Sequence, residues 1–253
     1  MFTKAIVRTP CKAMIEGITT ANLGTPDYQK ALQQHADYIA ALQECGLSVT
    51  VLPADENFPD STFVEDTALM TPHCAIITNP GAPSRTAETH SIKAVVADFY
   101  DQVELIEAPG TVEAGDIMMV GDHYYIGLSE RTNQQGADQM IAILKRYGMT
   151  GSTVTMSEML HLKTGLGYLE NNYLLACGEF LKKAEFQQYN ILEVEQEEAY
   201  AANSVWVNNV VLTPAGFPKT HQLIQSAGYE IRIVDVSEFQ KIDGGLSCLS
   251  LRF

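Results

Sequence analysis

The sequence predicts an α/β protein of five repeated units closing into a ring, and three observations carry that expectation. Short strand-like segments come in pairs joined by tight turns, as at Glu170-Asn171-Asn172 and Asn208-Asn209. Each pair leads through a more or less helical stretch to a further strand, and the pattern repeats at a period of roughly forty to fifty residues. The tail, Cys248 to Leu251, supplies a strand that the first unit lacks and would pair with Ala5 to Arg8. An ordinary α/β domain with several hairpins accounts equally well for the periodicity; the tail favours closure.

In chain order, Ala5 to Arg8 reads as a strand, and Gly17 to Gly24 as a loop. Thr25-Pro26 is expected to open a helix, hydroxyl as N-cap and proline at the first helical position. Tyr28, Leu32, His35, Ile39 and Leu42 give it an apolar face, Gly46 ends it, and Leu47 to Leu52 forms the next strand. Thr67 to Met70 and Cys74 to Thr78 form a hairpin, followed by a helix around Ala87 to Phe99 and a strand at Val103 to Ile106. Ile117 to Val120 turns through Gly121-Asp122 into His123 to Gly127; Asn133 caps a helix, and Val154 lies in the closing strand. A third unit runs from Gly167 to Val194 with a weak helix, and a fourth from Ser204 to Val234 with a helix around Lys219 to Ala227.

Lys and Arg total 16 against 31 Asp and Glu, a formal charge of -15. Such a surface repels phosphate backbones and anionic membranes and attracts small cations, so neither nucleic acid nor membrane is an expected partner. No signal peptide or bilayer-length apolar run is apparent, and the five cysteines (Cys11, Cys45, Cys74, Cys177, Cys248) are scattered singly. Together these point to a cytoplasmic protein of one domain, 1–253, with neither HExxH nor any other readable metal-ligand spacing.

Equivalent positions of a ring of units meet near its axis. The loops that enter the hairpins carry Glu65-Asp66, Glu113 and Asp116, His161, Asn203 and Cys248. The Gly244-Gly245 pair before Cys248 would give its loop freedom in φ, placing a thiol where a loop enters a strand. Scattered acids, a lone histidine and a single thiol each have an ordinary explanation as solvated or structural groups. Their shared station supplies the parts of covalent catalysis: nucleophile, acid/base and orienting carboxylates. Paired carboxylates suit a guanidinium, whose planar N–H donors they can accept two at a time.

The segments Phe58-Pro59-Asp60-Ser61, Phe63-Val64-Glu65-Asp66, Glu113-Ala114-Gly115-Asp116, His161-Leu162-Lys163-Thr164-Gly165 and Gly244-Gly245-Leu246-Ser247-Cys248 resemble the bacterial dimethylarginine dimethylaminohydrolases. These belong to the guanidine-modifying superfamily, whose fold is the five-bladed α/β propeller (pentein). The resemblance implies hydrolysis of Nω-methylated arginines to citrulline and a methylamine, without metal or organic cofactor, by a homodimer. It assigns Cys248 as nucleophile, His161 as general acid/base and Glu113 as its orienting partner. Asp66 would bind the guanidinium, Asp60 and Glu65 the substrate's polar groups, and Phe63 would line the pocket. Arg85 and Arg131 would take the α-carboxylate, and the backbone at Ile18 and Ile242 the α-amino group. The Gly17 to Gly24 loop becomes a candidate lid. A deiminase or amidinotransferase on the same fold, and a non-catalytic binding propeller, are the alternatives. An isolated thiol titrates near 8.5, and surrounding acids would hold it protonated. A guanidinium about 4 Å away contributes on the order of 4 kcal/mol at an effective dielectric of 20, so the substrate itself is expected to help ionise Cys248.

Overall fold

The computed structural model describes residues 1–253, and the chain divides into two compact units, Met1–Val64 with Gly165–Phe253, and Glu65–Thr164. The first unit opens with β1 (Lys4–Arg8), α1 (Tyr28–Glu44) and β2 (Ser48–Leu52). The second unit holds β3 (Ala68–Met70), β4 (Ala75–Ile77), α2 (Glu88–Val96), β5 (Val103–Leu105), β6 (Ile117–Val120), β7 (His123–Leu128), α3 (Gln134–Arg146) and β8 (Thr150–Thr155). The chain then returns to the first unit with β9 (Leu166–Tyr168), β10 (Tyr173–Ala176), β11 (Asn190–Glu193), β12 (Val205–Val207) and β13 (Val210–Pro214). It ends with α4 (Pro218–Ser226), β14 (Glu230–Val234), α5 (Ser237–Gln240) and β15 (Leu251–Arg252).

The strands form five three-stranded sheets: β15-β1-β2, β9-β10-β11 and β12-β13-β14 in the first unit, β3-β4-β5 and β6-β7-β8 in the second. One plan is repeated throughout. Each middle strand is antiparallel to its hairpin mate and parallel to the strand that returns after the connection. The hairpin turns demand left-handed backbone, supplied by Asn171 and Asn172 (φ 48° and 65°) and by Asn208 and Asn209 (φ 48° and 77°); asparagine tolerates this conformation better than most residues. Closure of the terminal unit is as expected, with Ala5 facing Arg252 and Ile6 facing Leu251.

A short 3₁₀ turn precedes every hairpin: Val64–Thr67, Ala114–Asp116, Leu162–Thr164, Gln196–Ala202 and Ser247–Leu249. Four expectations change in detail. Cys248 lies in the last of these turns and not on the tail strand, which starts only at Leu251. The cap of α1 is Asp27, whose carboxylate accepts from the N–H groups of Gln29 and Lys30, two residues after Thr25. The ββαβ plan fails in the third repeat, where two 3₁₀ turns (Gly178–Lys182 and Ala184–Phe186) replace the helix. Neither Gly244 nor Gly245 takes positive φ; that conformation falls to Asp243, at 58°.

Each unit has its own core. Tyr38 and Leu42 of α1 pack with Val7, Met14, Phe239 and Leu249 in the first, while Ile76, Ile117, Tyr124, Ile126, Met140 and Leu144 pack together in the second. No helix is long and apolar enough to cross a membrane. His35, on the inner face of α1, is buried with Nε2 unpaired, and burial pulls its pKa down to about 4. The unfolded chain therefore binds a proton below about pH 6.5 that the folded chain refuses until about pH 4. Stability that is flat above this window falls on acidification through it, by on the order of 3 kcal/mol from this residue alone. His35→Leu is expected to remove that component, so urea midpoints of the two proteins diverge steadily between pH 7 and pH 4.

Candidate active site

In the second unit the 3₁₀ turns gather a buried set of charges. Asp66 Oδ2 pairs with Arg85 Nη1 at 2.5 Å, and Asp66 Oδ1 accepts the Gly115 N–H at 2.9 Å. The Arg85 guanidinium also grips Glu88, Nε to Oε1 at 3.1 Å and Nη2 to Oε2 at 2.9 Å. Removing one member would strand the others out of water, at about 3–5 kcal/mol. Glu65 Oε1 pairs with Lys163 Nζ at 2.5 Å. Glu113 accepts the Ala82 N–H on Oε1 at 3.0 Å and meets His161 Nε2 with Oε2 at 2.8 Å. Arg131 Nη1 lies 3.9 Å from Glu113 Oε1.

Electrostatics follow from that packing. Burial disfavours a charged His161, but Asp66, Asp116 and the hydrogen bond to Glu113 outweigh it and push the imidazole up to about 9. Asp66 itself is held below the usual carboxylate range: burial opposes ionisation, and His161⁺ and Arg85⁺ more than offset it. Ligand atoms of Asp66, Glu113 and His161 lie within 4.8 Å of one another. A divalent ion would nevertheless meet a guanidinium already seated on Asp66 and an imidazole already seated on Glu113, so the cluster suits proton transfer better than metal ligation. Gly115 permits the arrangement, since a Cβ there would stand 2.8 Å from both Asp66 Oδ1 and His161 Nδ1.

The first unit carries Cys248 in a turn made rigid by its neighbours. The Gly245 N–H points at the sulfur, with N···Sγ at 3.4 Å, and so can support a thiolate. Asn203 clamps the turn from both sides, accepting the Ser247 N–H on Oδ1 at 2.9 Å and donating from Nδ2 to Ser247 Oγ at 3.0 Å. The Tyr200 hydroxyl donates to the Gly244 carbonyl at 2.7 Å, and the Tyr38 hydroxyl to that of Leu246 at 2.9 Å. Close packing makes the two glycines necessary. A Cβ on Gly244 would stand 2.1 Å from the Phe63 ring, and one on Gly245 2.6 Å from Asn203 Oδ1. Phe63 cannot yield easily, being buried edge-on against Phe239 with centroids 6.3 Å apart. Gly244→Ala is accordingly expected to cost about 1–3 kcal/mol of stability by overpacking, read as a lowered unfolding midpoint, and to depress turnover by shifting the Cys248 turn.

The candidate lid belongs to the same unit. Asp60, itself buried, accepts the Ile18 N–H on Oδ1 at 3.0 Å. The Asp243 carboxylate holds Thr20 by its N–H at 2.5 Å and its hydroxyl at 3.0 Å, and Thr19 Oγ1 donates to the Lys241 carbonyl. Ile18 is exposed in this loop, while Ile242 is buried. Expected residues thus fall into two sets. Asp66, Glu65, Arg85, Glu113, Arg131 and His161 lie in the second unit; Ile18, Asp60, Phe63, Ile242 and Cys248 lie in the first. The supports Asn203, Tyr200, Tyr38 and Asp243 were not assigned roles from sequence; for Asn203 its position before a hairpin was the available signal.

Comparison with known proteins shows the family. A family model described as N,N dimethylarginine dimethylhydrolase, eukaryotic, matches residues 24–248. The N(G),N(G)-dimethylarginine dimethylaminohydrolase of Pseudomonas aeruginosa is 59% identical over the full length of both chains. A solved structure of that enzyme, a cysteine-to-serine variant complexed with citrulline, superposes with a TM-score of 0.99 over all of both chains at the same identity. A second, a histidine-to-glycine variant of a dimethylarginine dimethylaminohydrolase as an adduct with S-methyl-L-thiocitrulline, matches equally, with a TM-score of 0.99 over all of both chains at 59% identity. The fold class is therefore the one expected, an α/β propeller of five units. With a family model spanning most of the chain and a relative alike from end to end, the protein belongs to the dimethylarginine dimethylaminohydrolase family.

Proposed function

We propose that this protein hydrolyses asymmetric dimethylarginine and monomethylarginine to citrulline and the corresponding methylamine, its two units acting as a single catalytic domain. The observation that carries this reading is the relative alike over its whole length that holds citrulline, the product of such hydrolysis, once a cysteine is replaced by serine. Cys248 is the nucleophile and His161 the acid/base. The sulfur attacks the guanidinium carbon, forming a C–S bond and a tetrahedral adduct. A free amide anion cannot leave, so His161, charged at neutral pH because its pKa is about 9, hands its proton to the departing nitrogen as the C–N bond breaks. The neutral imidazole then takes a proton from water, whose oxygen attacks the planar S-linked intermediate. Collapse breaks the C–S bond and, as the intermediate's hydroxyl gives its proton to the released amine or solvent, leaves citrulline and thiolate.

No electrons change hands, and water is the sole co-reactant. With Nε2 bonded to Glu113, Nδ1 is the nitrogen that exchanges the proton. Substrate cation arrives among acids already partnered by Arg85 and Lys163, and its positive charge helps ionise Cys248. Arg85 and Arg131 receive the α-carboxylate and the backbone at Ile18 and Ile242 the α-amino group, with the loop held by Asp243 as lid over the latter. The test is product analysis with asymmetric dimethylarginine, monomethylarginine and arginine in parallel. Citrulline with the matching methylamine from the methylated substrates is the expected result; faster release from arginine would make the protein a deiminase instead.

A further inference from the structure

Asp116 takes no part in the chemistry above, yet its carboxylate is fully buried and fully engaged. Oδ1 accepts the N–H of Leu162, the peptide directly after His161, at 3.0 Å. Oδ2 accepts the Ser129 hydroxyl at 2.6 Å. Ser129 Oγ in turn accepts the N–H groups of Arg131 at 2.9 Å and Thr132 at 3.2 Å, and Thr132 Oγ1 accepts the N–H of Glu113 at 3.1 Å. Three pieces of backbone therefore hang from one side chain: the turn bearing His161, the loop bearing Arg131 and the peptide of Glu113. Room for this anchor depends on Gly127, where a Cβ would stand 3.0 Å from Leu162 Cβ and 3.2 Å from Asp116 Oδ1.

We infer that Asp116 is the positioning residue of this site, fixing His161 through Leu162 and Arg131 through Ser129. One carboxylate thereby sets the acid/base and the anchor for the substrate's α-carboxylate in register, a role that rests on the function proposed above. Its negative charge also faces the imidazole. The other charges around His161 are Asp66 and Glu113, with Arg85 on the first and Arg131 near the second. Burial raises the pKa of Asp116, while the charge of His161, then Ser129, Thr132 and the Leu162 N–H, oppose that rise.

Two variants separate the halves of the anchor. Asp116→Asn keeps an acceptor for Leu162 but removes the charge, and it turns an N–H toward a Ser129 oxygen already accepting two. Ser129→Ala leaves the Leu162 anchor and the carboxylate's charge and removes the hydroxyl that ties the Arg131 loop, and through Thr132 the Glu113 peptide, to Asp116. The measurements are kcat and KM for asymmetric dimethylarginine, and NMR titration of the His161 imidazole in substrate-free protein. Asp116→Asn is expected to lower kcat about 10- to 100-fold and to drop the imidazole pKa by about one unit. Ser129→Ala is expected to raise KM about tenfold with the imidazole titration unmoved. A merely structural Asp116 would lower the unfolding midpoint while leaving the imidazole pKa and kcat of the folded variant as in wild type, and that result overturns the inference. If Asp116→Asn does not fold, wild-type KM in Ser129→Ala overturns it. The imidazole titration needs no substrate: its shift in a protein that releases no citrulline would uphold the anchor and defeat the functional proposal.

Discussion

Cys248→Ser is expected to release citrulline at least about 10⁴-fold more slowly than wild type while binding asymmetric dimethylarginine with little change in affinity. Serine preserves size and the hydrogen bond from Gly245, so the turn clamped by Asn203, Tyr200 and Tyr38 stays in place. What the proposed mechanism loses is its sulfur nucleophile, and losing the nucleophile of a concerted set removes nearly all its rate. The check combines a binding titration with product quantification, plus mass spectrometry of quenched wild-type reactions for the S-linked intermediate. Residual turnover near the wild-type rate would rule out the covalent route.

Glu113→Gln is expected to reduce kcat/KM by about 10²- to 10³-fold and to move the basic limb of its pH profile toward neutrality. In the proposed mechanism protonated His161 is the form that donates to the leaving amine, so activity is expected to fall as pH rises through its pKa, about 9 in the intact site. Glutamine cannot supply the anionic partner at 2.8 Å. The charged imidazole loses part of its support while burial still opposes it, so the limb shifts to lower pH and less of the acid remains at pH 8. Kinetics across pH 6–10 read the shift directly. An unmoved limb would mean that some group other than His161 sets it.

The fold was legible where short-range chemistry decides it. Asn171-Asn172 and Asn208-Asn209 announce hairpins because few other residues accept the left-handed turn, and Asn133 was readable as a cap because capping is local. Errors arose where two local signals compete. Leu249-Ser250-Leu251 alternates like a strand, but its first residue and Cys248 are held in a turn by hydrogen bonds and packing that reach Asn203. Thr25-Pro26 and Asp27 both suit a helix start, and Asp27 prevails because its carboxylate reaches two N–H groups. The supports of the site were beyond spacing arguments altogether. Asp116 acts on Leu162 across 46 positions and Asn203 on Ser247 across 44, separations that carry no periodic signature. The Gly244-Gly245 pair is required by packing and not by backbone freedom: Phe63 and Asn203 leave no room for a Cβ, and neither residue takes positive φ.

The 3₁₀ turn before each hairpin has a bearing on how such a protein changes its trade. Acidic, imidazole, amide and thiol side chains all lie in or directly beside these turns, so one sheet plan carries whichever chemistry is mounted next to it. New specificities can therefore arise by exchanging side chains at these five sockets, with the strands left undisturbed.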